Sequence, residues 1–525
     1  MSWKYTLLQA ASLVGAYGSS LIHPHHARSE RISWGPCDFG DDTLQCGNLS
    51  VPLDYTDPHS NATLKLQLLK VPAVHTPKKG SILFNFGGPG LESRMSLAAY
   101  SARYLASTGG EYDLIAHDPR GTAQTFTASC YNSTEKREAD LLHIGNIADP
   151  EDIPGIGKLW AGSQVLADAC YNYPGFQEKG SLVGTAFSAR DLMQIVDAVE
   201  PDGLLRYWGI SYGTALGATV AALFPDRIER IVLDAVMNLH QFFNGYDTEV
   251  YADSDTVVHN FIKECLDLPE LCGFSHRNST ADEIENDLFN LLSDLRREPI
   301  VHGSTIIDPT LVRSFIRYTL YNPISYSNLS IALDALLPPV NTALFMEIHD
   351  VHMGSNIDSL AADESPFAIH CGDKPASQPT LDKMKEVFEE LNSESRFIGS
   401  SGIGLQALCA NWKITAKERY EGNFDVRTKH PMLVVGNTFD SATPFRSAQN
   451  LSAIFEDSVL VEHGGFGHGS TVHGSECTAR IIRDYFADGT LPAPDTFCEV
   501  SYHPFEAKTL DDVLEEAGFY EDLIQ

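Results

Sequence analysis

The stretch Leu205–Thr219, LRYWGISYGTALGAT, decides how the rest of the chain is read. Arg206-Tyr207-Trp208 is short, bulky and aromatic, which suits a buried strand. Gly209-Ile210-Ser211-Tyr212-Gly213 follows at once, and a small-residue helix then runs from Thr214 to Phe224 until Pro225-Asp226 stops it. Strand, G-x-S-x-G, helix is the setting that turns a loose motif into a nucleophile elbow. The reason is steric. Ser211 must occupy strained backbone on a very tight turn, and a Cβ at 209 or 213 would strike the neighbouring strand and helix. The helix that starts at the serine aims its free N–H groups and positive dipole end at developing negative charge.

Outward from the elbow, apolar strands alternate with helical patterns. Gly80–Phe86 reads as a strand ending in Gly87-Gly88-Pro89-Gly90, and Tyr112–His117 as a strand ending in Asp118-Pro119-Arg120-Gly121. Ala186–Val199 has helical spacing, Arg230–Asp234 is the strand after the elbow, and the alternating Thr63–Val71 reads as an edge strand. Strands apolar on both faces imply an α/β fold with a mostly parallel sheet flanked by helices. The rhythm breaks at Met237 and returns at Pro431–Gly436 and Ser458–Glu462, ahead of an acidic amphipathic helix over Leu510–Leu523. The expected division is a signal peptide over 1–20, the first part of the core over 21–236, a mainly helical cap over 237–414 and the C-terminal part of the core over 415–525.

The chain has 525 residues, 43% hydrophobic and 20% charged, an ordinary globular composition. A net charge of −33, spread along the chain, argues against a nucleic-acid partner, whose phosphates would be repelled. Met1–Ser20 reads as a secretory signal: Lys4, an apolar core over Tyr5–Tyr17, and small residues at Ala16–Ser20. It is too short to span a membrane, and no later apolar run is long enough. Ten cysteines fall in near-neighbour pairs: Cys37 with Cys46, Cys130 with Cys170, Cys265 with Cys272, Cys371 with Cys409 and Cys477 with Cys498. Local bridging is the simplest connectivity. Six glycosylation sequons, at Asn48, Asn61, Asn132, Asn278, Asn328 and Asn450, point the same way. The expectation is secretion, with the vacuole as the second destination.

A serine nucleophile needs a base to take its proton and an acid to orient the base. Both occur downstream, in the chain order Ser, Asp, His. Asp440 follows the strand Leu433–Val435 in GNTFDSATPF, and His468 follows Val459–Val461 in GGFGHGS. Both loops lie at the carboxyl edge of the sheet, as the elbow does. An aspartate before Ser-Ala-Thr-Pro also has turn capping open to it. His463 and His473 compete with His468, which is preferred for its flanking glycines. The oxyanion hole calls for two backbone N–H donors, assigned to Tyr212 and, in the glycine turn, Gly88. Arg120 stays protonated and is read as a brace for nearby loops. The histidines show no HExxH-type spacing, and neither metal nor cofactor is expected.

GISYGTALG, the Gly-Gly-Pro-Gly turn, DPRG, GNTFDSATP and GHG resemble the prolyl and tripeptidyl aminopeptidase family of α/β-hydrolases, above all its secreted tripeptidyl aminopeptidase-like branch. Ser475-Glu476-Cys477, Leu491-Pro492 through Cys498, Ala368–Cys371 and Cys409–Trp412 are similar to that branch, and the likeness covers most of residues 33–500. It implies an α/β-hydrolase fold with Ser211, Asp440 and His468 as the triad. Phe86 stands where the family usually has proline, Ala235 where it has glycine, and Ser441-Ala442 where it has Pro-Val. Family aminopeptidases hold the substrate ammonium with cap carboxylates. Asp247, Glu249, Asp253 and Asp255 are the residues to examine, against a reading of solvated surface. The expected function is a secreted serine exopeptidase acting on peptides through an acyl-enzyme. The alternative is an esterase, lactonase or amide hydrolase acting on a small metabolite with the same triad, and a non-catalytic binding protein is the third reading.

Overall fold

The computed structural model describes residues 32–123, 125–126, 128–141, 153–357, 364–376 and 379–524. The signal peptide read over 1–20 lies outside them. Ten strands form one twisted sheet: β1 (Gly35–Pro36), β2 (Gln45–Pro52), β3 (Thr63–Val71), β4 (Gly80–Asn85), β5 (Tyr112–His117), β6 (Leu205–Ile210), β7 (Ile228–Asp234), β10 (Leu433–Phe439), β11 (Val459–Phe466) and β12 (Thr496–Cys498). The order is β1-β2-β3-β5-β4-β6-β7-β10-β11-β12. From β5 to β12 every pairing is parallel, and β1 to β3 add an antiparallel flank. Strands β4, β5 and β6 are almost wholly buried because helices cover both faces, which is why they read as unbroken apolar runs.

Thr63–Val71 is not an edge strand. β3 lies between β2 and β5, with eight residue pairs on the β2 side. Side-chain alternation reports which face is solvated and says nothing about whether a backbone partner lies alongside. That partner, QCGNLSVP, carries a sequon and a proline and does not look like a strand in sequence. The acidic tail is shorter than expected: a helix over Leu510–Glu516, then a 3₁₀ turn over Glu521–Leu523.

Between β7 and β10 the described residues are mainly helical, with one antiparallel hairpin, β8 (Ile300–His302) and β9 (Thr305–Ile307). The helices bury a core of their own around Phe261, Leu288, Phe315, Leu329 and Phe388. Ile156 and Leu159 join that core although they precede β6 in sequence, on the helix Ile153–Asn172. Local signals set the helix starts. Thr280 and Glu283 form a capping box, and the Asp308 carboxylate caps the helix Pro309–Thr319.

All ten cysteines pair as the sequence suggested. Cys37 bridges to Cys46, Cys130 to Cys170, Cys265 to Cys272, Cys371 to Cys409 and Cys477 to Cys498. The first bridge ties the lead-in to the start of β2, the second ties the loop after β5 to the helix Ile153–Asn172, and the third closes a short loop within the cap. The six sequon asparagines are all exposed. No described helix is long and apolar enough to cross a membrane.

Candidate active site

Strand order brings the site together. β4 and β6 are neighbours at the point where the sheet's winding reverses, so the turn after β4 meets the turn after β6. Ser211 occupies that second turn with φ 57° and ψ −123°, strained geometry for a residue with a Cβ. The sequence accommodates the turn with glycine: a Cβ on Gly209 would collide with the Gly213 carbonyl, and one on Gly213 with the Asn85 carbonyl. The Ser211 N–H donates to the Asp234 carbonyl (3.0 Å) at the end of β7, and the helix Tyr212–Leu223 begins at once.

Tyr212 is the first helical residue, where an N–H has no intrahelical acceptor. Its ring is locked beneath the site, with the hydroxyl 2.8 Å from Thr185 Oγ1, which donates to Asp373 (2.5 Å). Across the elbow, a Cβ on Gly87 would lie 2.8 Å from Ser211 Cβ and 3.1 Å from Tyr212 N. Gly87 turns its own N–H to Asn85 Oδ1 (3.1 Å). Neither the Gly88 N–H, the donor expected from the sequence, nor the Gly90 N–H in this turn has a protein acceptor among the described residues. Phe86 packs against Phe84 and Tyr104 with centroids 5.8 and 5.3 Å away.

Asp440 and His468 follow the adjacent parallel strands β10 and β11. Asp440 is buried, and it fills both roles open to it. Oδ1 accepts the Ala442 and Thr443 N–H groups (2.8 and 2.9 Å), while Oδ2 lies 3.1 Å from His468 Nδ1 and accepts the Gly469 N–H (3.2 Å) and the Thr443 hydroxyl (2.7 Å). With Nδ1 facing a carboxylate, that nitrogen carries the proton and Nε2 is free to act as a base. Burial works to lower the His468 pKa, but the Asp440 charge and hydrogen bond, with Asp234 behind them, outweigh it, and the pKa is raised. No hydrogen bond joins Ser211 Oγ to His468 among the described residues. In hydrolases without substrate this contact is often long and tightens on binding.

Asp234 supplies the tie between the two loops, and the sequence reading missed it. Its carbonyl holds Ser211, and its carboxylate accepts the Ser470 N–H (3.0 Å) and hydroxyl (2.6 Å), two residues past the imidazole. The signal was there in part, since an aspartate ending an apolar strand beside the elbow faces the site. Tyr321 of the insertion was missed too. Its carbonyl accepts the His468 N–H (2.9 Å), and its ring packs edge-on to the imidazole, centroids 4.9 Å apart.

The competing histidines are structural. His463 donates from Nε2 to the His473 carbonyl (2.8 Å) and accepts from Thr478. His473 accepts the Phe466 N–H and donates to the Tyr502 carbonyl (2.9 Å). Arg120 braces as expected, fully buried, bidentate to Asp191 and bonded to the carbonyls of Pro52, Leu53 and Leu182.

The four carboxylates considered for a substrate ammonium are all engaged by the protein. Asp247 is buried against His370, Lys374 and Gln406; Glu249 accepts from Asn238, Ser447 and Asn450. Asp253 pairs with Arg446, and Asp255 holds Ser395 and the Arg396 and Phe397 N–H groups. In an acidic surface, sequence cannot tell a free carboxylate from one consumed by a hydrogen-bond network. A cleft of about 580 Å³ lined by Asn238, His240, Gln241 and Asn450 is separate from the serine and its partners, none of which lines it. His259, Asp282 and Glu285 converge on the cap surface, and Arg396 already pairs with Glu285.

Two family models match parts of the chain. The α/β hydrolase fold family model matches residues 80–262, and the TAP-like protein family model matches 395–498. The chain is 25% identical over 503 residues to a tripeptidyl aminopeptidase of Streptomyces coelicolor, covering 92% of this chain and 88% of that protein. It is 25% identical over 496 residues to the serine protease Hip1 of Mycobacterium tuberculosis (89% and 91%). It is 26% identical over 495 residues to carboxylesterase B of the same organism (89% of each).

Proposed function

The chain is a serine hydrolase of the α/β-hydrolase fold, and we propose that it is a secreted aminopeptidase releasing short peptides or single residues from free N-termini. Likeness over nine-tenths of the chain to a relative named for tripeptidyl aminopeptidase activity carries the peptidase reading. The five disulfides fit an oxidising destination.

In this reading Ser211 Oγ attacks the scissile carbonyl carbon while its proton passes to His468 Nε2. The oxyanion is held by the N–H groups of Tyr212 and Gly88, each worth on the order of 3 kcal/mol in the transition state. The C–N bond then breaks, and the leaving amine takes the proton from His468. Water attacks the acyl carbon, gives its proton to His468, and Ser211 departs with that proton restored. Asp440 fixes the imidazole's tautomer and balances its charge in the two protonated stages.

Esterase action on a small metabolite is the second reading, favoured by the likeness to a protein named carboxylesterase B. Purified protein is to be offered Ala-Ala-Pro-aminomethylcoumarin, its N-acetylated form and nitrophenyl butyrate, with Ser211→Ala as the blank. Coumarin release that needs a free amino terminus supports the aminopeptidase. Ester turnover with no amide turnover overturns it.

A further inference from the structure

Arg317, near the C-terminal end of the helix Pro309–Thr319, is an arginine that pairs with no carboxylate among the described residues. The chain carries 70 acidic against 37 basic side chains, so acids are not scarce. Several buried or half-buried arginines have found them, Arg94 with Asp118, Arg120 with Asp191, Arg190 with Glu418 and Arg206 with Glu200, while half-buried Arg230 is held by the carbonyls of Tyr485 and Glu229. Arg317 lies instead over the rings of Tyr251 and Tyr318, 5.5 and 5.3 Å from their centroids, with the Tyr321 hydroxyl as its polar neighbour. Its Nε is buried without a hydrogen-bond partner. A guanidinium so placed keeps its charge and its donor fork.

The position ties this cation to the reaction. Tyr321, four residues on and just past the end of that helix, packs its ring against the His468 ring and accepts the His468 N–H at its carbonyl. The Arg317 charge reaches the imidazole, where it opposes Asp440 and Asp234. The imidazole delivers its proton to the leaving group, so the leaving group lies on its side of the scissile bond.

We propose that Arg317, framed by Tyr251, Tyr318 and Tyr321, is a carboxylate-binding subsite on the leaving-group side of His468. It selects substrates whose leaving amine bears a carboxylate close to the broken bond. That carboxylate is either the α-carboxylate of a one-residue leaving group or the side chain of an acidic residue after the bond. The inference rests on the serine-hydrolase site and takes the aminopeptidase reading for its substrates.

The test compares kcat/KM within single preparations of full-length protein, so that each ratio is independent of the fraction folded. The substrates are Ala-Ala-Pro-Ala with a free carboxyl terminus, its C-terminal amide, and Ala-Ala-Pro-Glu-amide. The natural protein is expected to prefer the free acid over the amide about tenfold or more. In Arg317→Gln that ratio falls to near one, and in Arg317→Lys part of it survives. A preference confined to the glutamyl amide assigns the subsite to an acidic side chain. A ratio near one in the natural protein, or one unchanged by Arg317→Gln, overturns the subsite. Should no peptide be cleaved while esters are, the aminopeptidase reading fails separately. The same ratio is then read on butyryl-lactate against butyryl-lactamide, where loss of preference overturns the subsite in turn.

Discussion

The Asp234 carboxylate accepts both the backbone N–H and the hydroxyl of Ser470, at 3.0 and 2.6 Å. Because the Asp234 carbonyl also takes the Ser211 N–H, one residue sets the spacing between the elbow and the histidine loop. Asp234→Ala leaves two Ser470 donors unpaired and frees the loop. A misplacement of about 1 Å at a reacting group costs on the order of 10²-fold in rate. The expected result is a fall in kcat of that size with a much smaller change in KM, read by steady-state kinetics. Unchanged kcat in a folded variant removes Asp234 from the positioning machinery.

The pH profile follows from the carboxylates around His468. The imidazole works as a base only when neutral, and Asp440 and Asp234 hold its pKa above the ordinary histidine value. Activity therefore rises with pH through a limb lying above about pH 6.5, the unperturbed value. Removing one negative charge in Asp234→Asn moves that limb to lower pH. In stability terms the sign is opposite: this raised pKa favours the fold at low pH, and its contribution is lost as pH rises through the same limb.

Asp440 carries two duties that substitution can separate. Asp440→Asn keeps an oxygen to cap Ala442 and Thr443 but loses the charge that orients His468. Activity is expected to fall by about 10⁴-fold with little change in thermal midpoint. Asp440→Ala loses the caps as well, and its melting temperature drops further. Equal melting temperatures for the two variants would contradict a structural role for the caps.

Ala235 has φ 58°, left-handed backbone that favours glycine. The alanine Cβ costs roughly 1 kcal/mol there. Ala235→Gly is expected to raise the unfolding free energy by about that amount, measured by urea denaturation. A loss of stability would mean that the Cβ packing of this buried residue outweighs the strain.

His463 and His473 are buried and neutral, with pKa values lowered to about 3 and about 4, burial being the main cause. The unfolded chain takes up protons at both below about pH 6.5, while the folded chain does so only as the pH approaches about 4 at His473 and about 3 at His463. Stability from these groups is intact above that pH and falls as pH drops, by about 3 kcal/mol each at pH 4. His473→Gln, which cannot titrate, should flatten the acid limb of a urea-midpoint profile taken from pH 7 to 4.

What the sequence determined is whatever depends on local steric rules and on short spacing. Gly209 and Gly213 permit one kind of turn around Ser211, apolar runs such as Ile82–Phe84 belong in a buried parallel sheet, and cysteines close in the chain, such as Cys37 and Cys46, bridged locally. The chain order of Ser211, Asp440 and His468 then offered a candidate triad, of which the fold brings the Asp440 carboxylate onto the imidazole. Tertiary structure decided what depends on partners far apart in the chain. β3 became an interior strand because β2 paired with it, Asp234 became a tie because Ser470 arrived 236 residues later, and Asp247, Glu249, Asp253 and Asp255 were taken up by neighbours. Arg317 draws notice only once the rings of Tyr251 and Tyr318 are seen to lie where a carboxylate would otherwise pair with it. A residue type fixes which bonds a side chain is able to make. Which of them it does make depends on the groups that folding brings within about 3 Å.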